Sequence, residues 1–262
     1  MIDLLAAALL VLLISLVFSM FGKGGGELYL PVILTLLDIP FYTAAGVSLF
    51  LIFLQSLSMT LVYHHKHRLV DWSLALLLAT LVGLASFLGG FFSKGIASLY
   101  LKVAFASFLI LSALLLFLNK NVQVKVGGTG VWHRRFSGGE YDVQILHVVI
   151  PVAVAAFFAG MVGISGGGLI VPIAVLLGGV PIRIAMGTNT FLVLASSSMG
   201  FLGHAAKGGI DWSLAVVLAL CVLLGSQVGS RLHARVGERN LRIGLAAILL
   251  FAASWMIVRT VL

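Results

Sequence analysis

Long apolar runs alternate with short polar breaks along almost the whole chain. They fall near 3–21, 41–63, 72–92 and 98–118, then near 144–162, 182–203, 212–230 and 240–261. Each is close to the ~20 residues that a helix needs to cross a bilayer. Two shorter runs, near 28–38 and 169–178, cover only about half that thickness at ~1.5 Å per residue. A glycine-rich segment precedes each short run, Gly22-Lys23-Gly24-Gly25-Gly26 in one case and Gly163-Ile164-Ser165-Gly166-Gly167-Gly168 in the other. The pattern predicts an all-α polytopic membrane protein with two similar halves. Each half has four long transmembrane helices and one short half-helix after a Gly-rich loop.

The similarity of the halves is detailed. Pro31, Pro40 and Gly46 match Pro172, Pro181 and Gly187 at an offset of 141. After a one-residue slip, His64 matches His204, and Asp71-Trp72-Ser73-Leu74-Ala75 recurs as Asp211-Trp212-Ser213-Leu214-Ala215. The expected organisation is a first repeat over 1–118, a polar linker over 119–143 and a second repeat over 144–262. The linker carries Gly127-Gly128-Thr129-Gly130 and Ser137-Gly138-Gly139-Glu140 and is expected to be a loop.

Charge decides how the short runs count. If each half makes five passes, one side receives twelve cations: Lys23, Lys66, Arg68, Lys120, Lys125, Arg134, Arg135, Arg183, Arg231, Arg235, Arg239 and Arg242. The other receives four, Lys94, Lys102, Lys207 and Arg259. If the first long and short runs form one broken span, the bias falls to eight against seven. Cytoplasmic loops concentrate Lys and Arg, so five passes are expected. Five is odd, so the second half is expected upside down relative to the first. Both termini then lie outside, and the linker is cytoplasmic.

Composition sharpens this picture. The chain is 61% hydrophobic and 9% charged, with a mean hydropathy of +1.19, a balance that excludes a soluble domain. The net charge of +8 lies between apolar runs, so it reads as topology-setting loops rather than a nucleic-acid surface. The first residues lack the basic start of a signal peptide and are expected to be a retained span. Cys221 has no partner for a disulfide and no metal spacing. No cofactor is expected.

The glycine loops are the candidate chemistry. Each opens a short helix, whose first N–H groups and partial positive charge suit an oxyanion. Paired Gly-interrupted segments in corresponding halves point to a transporter's substrate site. The competing reading is close helix packing; duplication at matched positions favours the site. The expected substrate-binding residues are Gly24, Gly25, Gly26, Ser165, Gly166, Gly167 and Gly168, joined by Ser48, Gln55, Thr188, Asn189 and Thr190 inside apolar helices. Lys23, Glu27, His64, His204 and Gln227 are candidates for coupling or gating. Glu27 also reads as a local ion-pair partner of Lys23 near the headgroups. The expected partners are a small anionic substrate and the lipid bilayer. A homo-oligomer is compatible with the sequence but not required by it.

Two other readings remain. Gly163-Ile164-Ser165-Gly166, with His204 as base, would suit an intramembrane serine protease. The repeat weakens it, because Ser165 corresponds to Gly24. His64-His65-Lys66-His67-Arg68 would suit a cation carrier, which its Lys and Arg disfavour. Gly22 to Glu27 lacks the Gly-Lys-Ser/Thr ending of a P-loop, so gradient-driven transport is expected.

The loop–proline pattern, Gly187-Thr188-Asn189 and the stretch from His204 to Asp211-Trp212 together resemble the TauE/SafE family of sulfite-exporter-like membrane proteins. The first half carries Gly46-Val47-Ser48, His64 and Asp71-Trp72 at matching places. The resemblance implies export of sulfite, a sulfonate or another small sulfur-containing anion across a cell inner membrane. The chain departs from the pattern at Ala205-Ala206-Lys207-Gly208-Gly209, where family members are more basic, and at Lys23 and Glu27 beside the first glycines.

Overall fold

Helix boundaries fall where the local chemistry changes. The computed structural model describes residues 2–118, 130–136, 139–233, 243–244, 247, 250–251 and 253–255. The first half contains α1 (Ile2–Met20), α2 (Gly26–Leu36), α3 (Phe41–Val62), α4 (Trp72–Ser93) and α5 (Ser98–Leu118). The second contains α6 (Ile145–Val162), α7 (Gly167–Leu176), α8 (Ile182–Ala205) and α9 (Trp212–Leu232). Pro40 and Pro181 stand at the N-caps of α3 and α8. Asp71 and Asp211 cap α4 and α9, each accepting from two backbone N–H groups, which satisfies donors that a helix start leaves orphaned. The expected last span, 240–261, lies largely outside the described residues.

The protein is turned inside out relative to a soluble one. Leu5, Ile150, Leu220 and Leu224 are exposed, at 66%, 69%, 67% and 64%. Meanwhile Ser15, Ser19, Lys23, Glu27, Gln55, Ser86, Thr190 and Ser196 are fully buried. Apolar outward faces and polar interior faces are what lipid demands. Among the described residues, α1, α3 with the π turn that follows it, α4, α6 and α9 are long and apolar enough to cross a membrane. The chain is an all-α polytopic membrane protein.

Contacts between helices fix their directions. Tyr63, just past α3, donates to the carbonyls of Ser19 and Met20 at the end of α1, and Gln55 reaches Ser15 and Ser19 one to two turns earlier. So α1 and α3 run parallel, and α2 carries the chain back between them. A broken span made of α1 and α2 would have left α1 and α3 antiparallel. Along α9, Gly225 faces Leu12 and Gly229 faces Leu16, so α9 also runs with α1. Against these three, α8 runs antiparallel to α3, through Phe50–Phe201 and Ser56–Ser197. The fourth helix, α4, runs with α8, through Gly83–Met199 and Gly90–Gly200. Equivalent helices of the two halves therefore point in opposite directions.

The halves also exchange partners symmetrically. α1 packs on α9, and its counterpart α6 packs on α4. At the first interface a side chain on Gly229 would strike the Leu16 carbonyl; at the second, one on Gly89 would strike the Phe157 carbonyl. These are equivalent positions, and only glycine permits such close backbone approach.

The linker departs from the expected loop. Val131–Phe136 (β1) and Gly139–Gln144 (β2) form an antiparallel hairpin, in which Arg134 pairs with Tyr141 and Arg135 with Glu140. Gly127, Gly128, Thr129, Ser137 and Gly138 lie outside the described residues. The two six-residue strands separated by a glycine-containing break are a hairpin signal in the sequence, obscured by the polar surroundings.

Candidate functional site

The two glycine loops meet. Gly22 and Gly163 hold equivalent positions and both take left-handed backbone, φ +63° and +84°, which turns the chain out of α1 and α6 without a side-chain penalty. A Cβ on Gly24 would lie 3.2 Å from the Ser165 Cβ and Oγ, and one on Gly26 would lie 3.1 Å from the Ile164 Cα. Gly24 and Ser165 are repeat equivalents, as are Ser56 and Ser197, whose hydroxyls are 3.5 Å apart. Two pairs of equivalent residues in mutual contact mark a pseudo-two-fold axis running between the loops and between α3 and α8.

Side chains from long helices hold the loops. The Gln55 Oε1 accepts from the Gly25 N–H at 3.0 Å and from the Tyr29 hydroxyl at 2.8 Å. Its Nε2 donates to the Ser19 Oγ at 2.9 Å and to the carbonyls of Ser15 and Lys23. Gln55 thus uses its whole hydrogen-bonding capacity to fix the first loop. On the second loop, the Ser48 hydroxyl donates to the Gly163 carbonyl at 2.8 Å, and the Ser165 Oγ accepts from the Gly167 N–H at 3.4 Å. Gly166 caps α7 with φ +72°, whereas its equivalent Gly25 has φ −83°. Gly168 is buried in the first turn of α7.

Helix α8 supplies the next layer. The Asn189 Nδ2 donates to the Gly22 carbonyl at 2.9 Å, while its buried Oδ1 has no partner among the described residues. A Cβ on Gly167 would lie 2.8 Å from the Asn189 Nδ2 and 3.3 Å from the Lys23 Cγ, so Asn189 and Lys23 flank the start of α7. The Thr188 Oγ1 accepts from the Asp71 N–H at 3.1 Å, and Thr190 bonds back to the Gly187 carbonyl within its own helix.

The first loop brings charge into this core. The Lys23 Nζ and Glu27 Oε1 are 2.7 Å apart, and both side chains are 0% exposed. The local ion pair expected from the sequence forms, inside a loop that packs against the second half. Lys23 is therefore not an exposed loop cation, and without it the charge count is eleven against four.

The remaining candidates lie apart from the loops. His204 is buried at the far end of α8, stacked on Tyr42 with ring centroids 4.7 Å apart, and its ring nitrogens face Ser93 and the Gly200 carbonyl. Ser165 and His204 therefore have separate partners, and the geometry offers no nucleophile–base pair. His64 accepts from the Trp72 indole N–H at 3.0 Å. Gln227 donates to the Ser58 Oγ at 2.8 Å and accepts from Arg231, in the α3–α9 interface. His65 is exposed, and His67 contacts the Ser230 carbonyl.

One polar cluster was missed from the sequence. Arg134 donates to both Asp71 carboxylate oxygens, at 2.6 and 3.1 Å, and the Tyr141 hydroxyl donates to Oδ2 at 2.6 Å. The Asp71 side chain is 1% exposed. Burial alone would raise its pKa, but the hydrogen bonds from Arg134 and Tyr141 outweigh that and hold it below the ordinary value. Burial and the Asp71 charge push the Tyr141 phenol upward, so it stays a donor. The hairpin is thereby pinned to the start of α4, one hydrogen bond from Thr188. Hairpin register, which places Arg134 and Tyr141 side by side, was the missing information.

Comparison with known proteins agrees with the architecture. The family model described as Sulfite exporter TauE/SafE matches residues 7–256. The Probable membrane transporter protein YunE of Bacillus subtilis is 28% identical over 259 residues, covering 94% of each chain. The Probable membrane transporter protein MJ0441 of Methanocaldococcus jannaschii is 23% identical over 252 residues, covering 90% of this chain and 89% of its own. A plant relative, Sulfite exporter TauE/SafE family protein 5 of Arabidopsis thaliana, is 30% identical over 94 residues, covering 34% of this chain and 21% of its own. No solved structure matches. Because the family's model spans nearly the whole chain, and its apolar helices fit a multi-pass membrane fold, the protein belongs to the TauE/SafE family of membrane transporters and is not an enzyme.

Proposed function

We propose that the chain is a secondary transporter, working as an exporter, for a small sulfur-containing anion such as sulfite or an organosulfonate. The anion binds between the two Gly-rich loops, at the N-termini of α2 and α7 and near the membrane midplane. The observation that carries this reading is the meeting of the loops: Gly24 against Ser165, with both short helices starting there and Lys23 and Asn189 beside the start of α7. Helix starts supply N–H donors and partial positive charge. The sulfite-exporter description of the family supplies the sulfur-containing class.

The opposed directions of equivalent helices support an inverted repeat, over 1–118 and 144–262, that works by alternating access in a cell inner membrane. The cation bias supports a cytoplasmic 119–143 linker and external termini. An N-terminal tag is expected to be cleaved by external protease in right-side-out vesicles; protection of the tag would overturn that orientation.

The substrate class is tested by a thermal-shift screen of purified protein with sulfite, sulfate, thiosulfate, taurine, sulfoacetate and short carboxylates. Stabilisation by sulfur oxyanions is expected, weakened in Ser165→Ala. Stabilisation by carboxylates alone would overturn the sulfur-containing class.

A further inference from the structure

The Lys23–Glu27 pair is an unusual use of charge. Both side chains are fully buried, and apart from each other the Lys23 Nζ and both Glu27 oxygens have no hydrogen-bond partner among the described residues. A buried ion pair repays its desolvation only when further hydrogen bonds complete it. This one is left incomplete, in a core where neighbouring Gln55 is fully satisfied. Under-satisfied buried groups call for an explanation. The second loop has none of this charge, since Ile164 and Gly168 stand at the equivalent positions.

We propose that the Glu27 carboxylate is an internal stand-in for the substrate anion at Lys23, and that the anion displaces it only when Glu27 takes up a proton. One proton then accompanies each univalent anion. The proposal rests on the anion-site reading above and deepens it by naming the coupling ion.

The charge balance is simple. With the pair intact, ammonium and carboxylate sum to zero in a buried site. An added anion beside an ionised Glu27 would leave a net negative charge there, which low-dielectric surroundings strongly disfavour. Proton uptake from water converts the carboxylate to a carboxylic acid, leaves Lys23 protonated and restores neutrality with the anion as its new partner. The neutral acid gains an O–H donor, and the Asn189 side chain, whose buried Oδ1 lacks a partner among the described residues, shares with Lys23 the surroundings of Gly167.

The surroundings contain little else that titrates. The Phe18 ring of α1 lies 5.7 Å from the Lys23 Nζ. Also on α1, Ser15 and Ser19 bond to Gln55 of α3, which in turn holds Tyr29 of α2. From α7 and α8 come Gly167, Asn189 and Val193. Tyr29 is the one further titratable side chain in that set, and it donates to Gln55 rather than to Glu27.

Methanesulfonate and isethionate suit the test, because a sulfonate keeps its single negative charge across the pH series and any proton bound with it is taken up by the protein. Binding to the full chain in nanodiscs is measured by calorimetry at a series of pH values, and in two buffers of different ionisation enthalpy. Uptake of one proton per anion is expected, with Kd rising about tenfold per pH unit on the alkaline limb. Glu27→Gln is expected to bind as tightly as wild type does at acid pH, with no pH dependence. Lys23→Gln combined with Glu27→Gln removes both charges together and is expected to fold without binding either probe. Zero proton uptake in wild type, or a pH slope that survives in Glu27→Gln, overturns the coupling and leaves the anion site standing. No binding by any version at any pH overturns both. The two-buffer measurement needs no variant, so it decides the coupling even if Glu27→Gln does not fold.

Discussion

The first and second glycine loops share a left-handed glycine at their start, a short helix and a proline five residues into it, yet they carry different chemistry. Lys23 and Glu27 form a buried ion pair in the first, where the second has Ile164 and Gly168. The Asp-Trp-Ser copies diverge in the same way. Asp71 and Asp211 cap their helices through equivalent backbone N–H groups. Asp71 is also held by Arg134 and Tyr141, whereas the further partner of Asp211 is its neighbour Ser213. The two copies share a backbone plan and differ in charged partners: Lys23 and Glu27 stand in the first loop alone, and Arg134 of the linker hairpin reaches Asp71.

The sharpest way to break this comparison is to remove one charge from the first loop. Lys23→Ala leaves Glu27 buried without a partner and is expected to cost about 3–5 kcal/mol. Replacing both residues by their second-loop counterparts, Lys23→Ile with Glu27→Gly, removes the unpaired charge and is expected to cost less. Thermal unfolding in detergent checks this; equal losses would show that the two charges are not coupled.

A smaller effect separates the two caps. Asp211→Ala should lose an ordinary N-cap, about 1 kcal/mol. Asp71→Ala should lose that and a further ~1–3 kcal/mol, because Arg134 and Tyr141 lose a buried partner. The added loss should be recovered in large part when Arg134 is also changed to Ala. Thermal unfolding of the single and double variants measures the difference, and identical losses at Asp71 and Asp211 would remove the hairpin from the argument.

The smallest effect is in pH. The folded-state pKa of Asp71 is depressed, so its contribution is complete above the unfolded value and is lost only as pH falls through the folded one. Hydrogen-exchange protection of β1 and β2 should therefore be flat through neutral pH and fall below the ordinary aspartate value of 3.8. Loss of protection already near neutrality would mean that another group pins the hairpin.

Most of the fold was legible because lipid imposes a strong rule. Apolar length alone located α1 through α9 to within a few residues, and the 141-residue repeat paired them. Glycine and proline positions located the loops, since left-handed turns and helix starts have few chemical solutions. Side-chain partners were less legible. Gln55 and Thr188 are expected from the sequence to bind substrate; which protein groups they also hold, the first loop for Gln55 and the Asp71 N–H for Thr188, was not legible there. Composition within a helix says that a polar group needs a partner, without saying which one. The hairpin was hidden for a related reason, because alternation in a short polar linker is a weak signal beside runs of twenty apolar residues.

The sequence by itself determined the class, the repeat, the helix boundaries and the two glycine loops, because each follows from local geometry or from the hydrophobic thickness of a bilayer. Only the tertiary structure decided that Gly24 meets Ser165, that Lys23 is buried rather than an exposed loop cation, and that Asp71 and Asp211 differ. Those are contacts between residues 63 to 141 positions apart. They depend on how two antiparallel halves pack around their axis, and no local pattern encodes the distance between two distant segments.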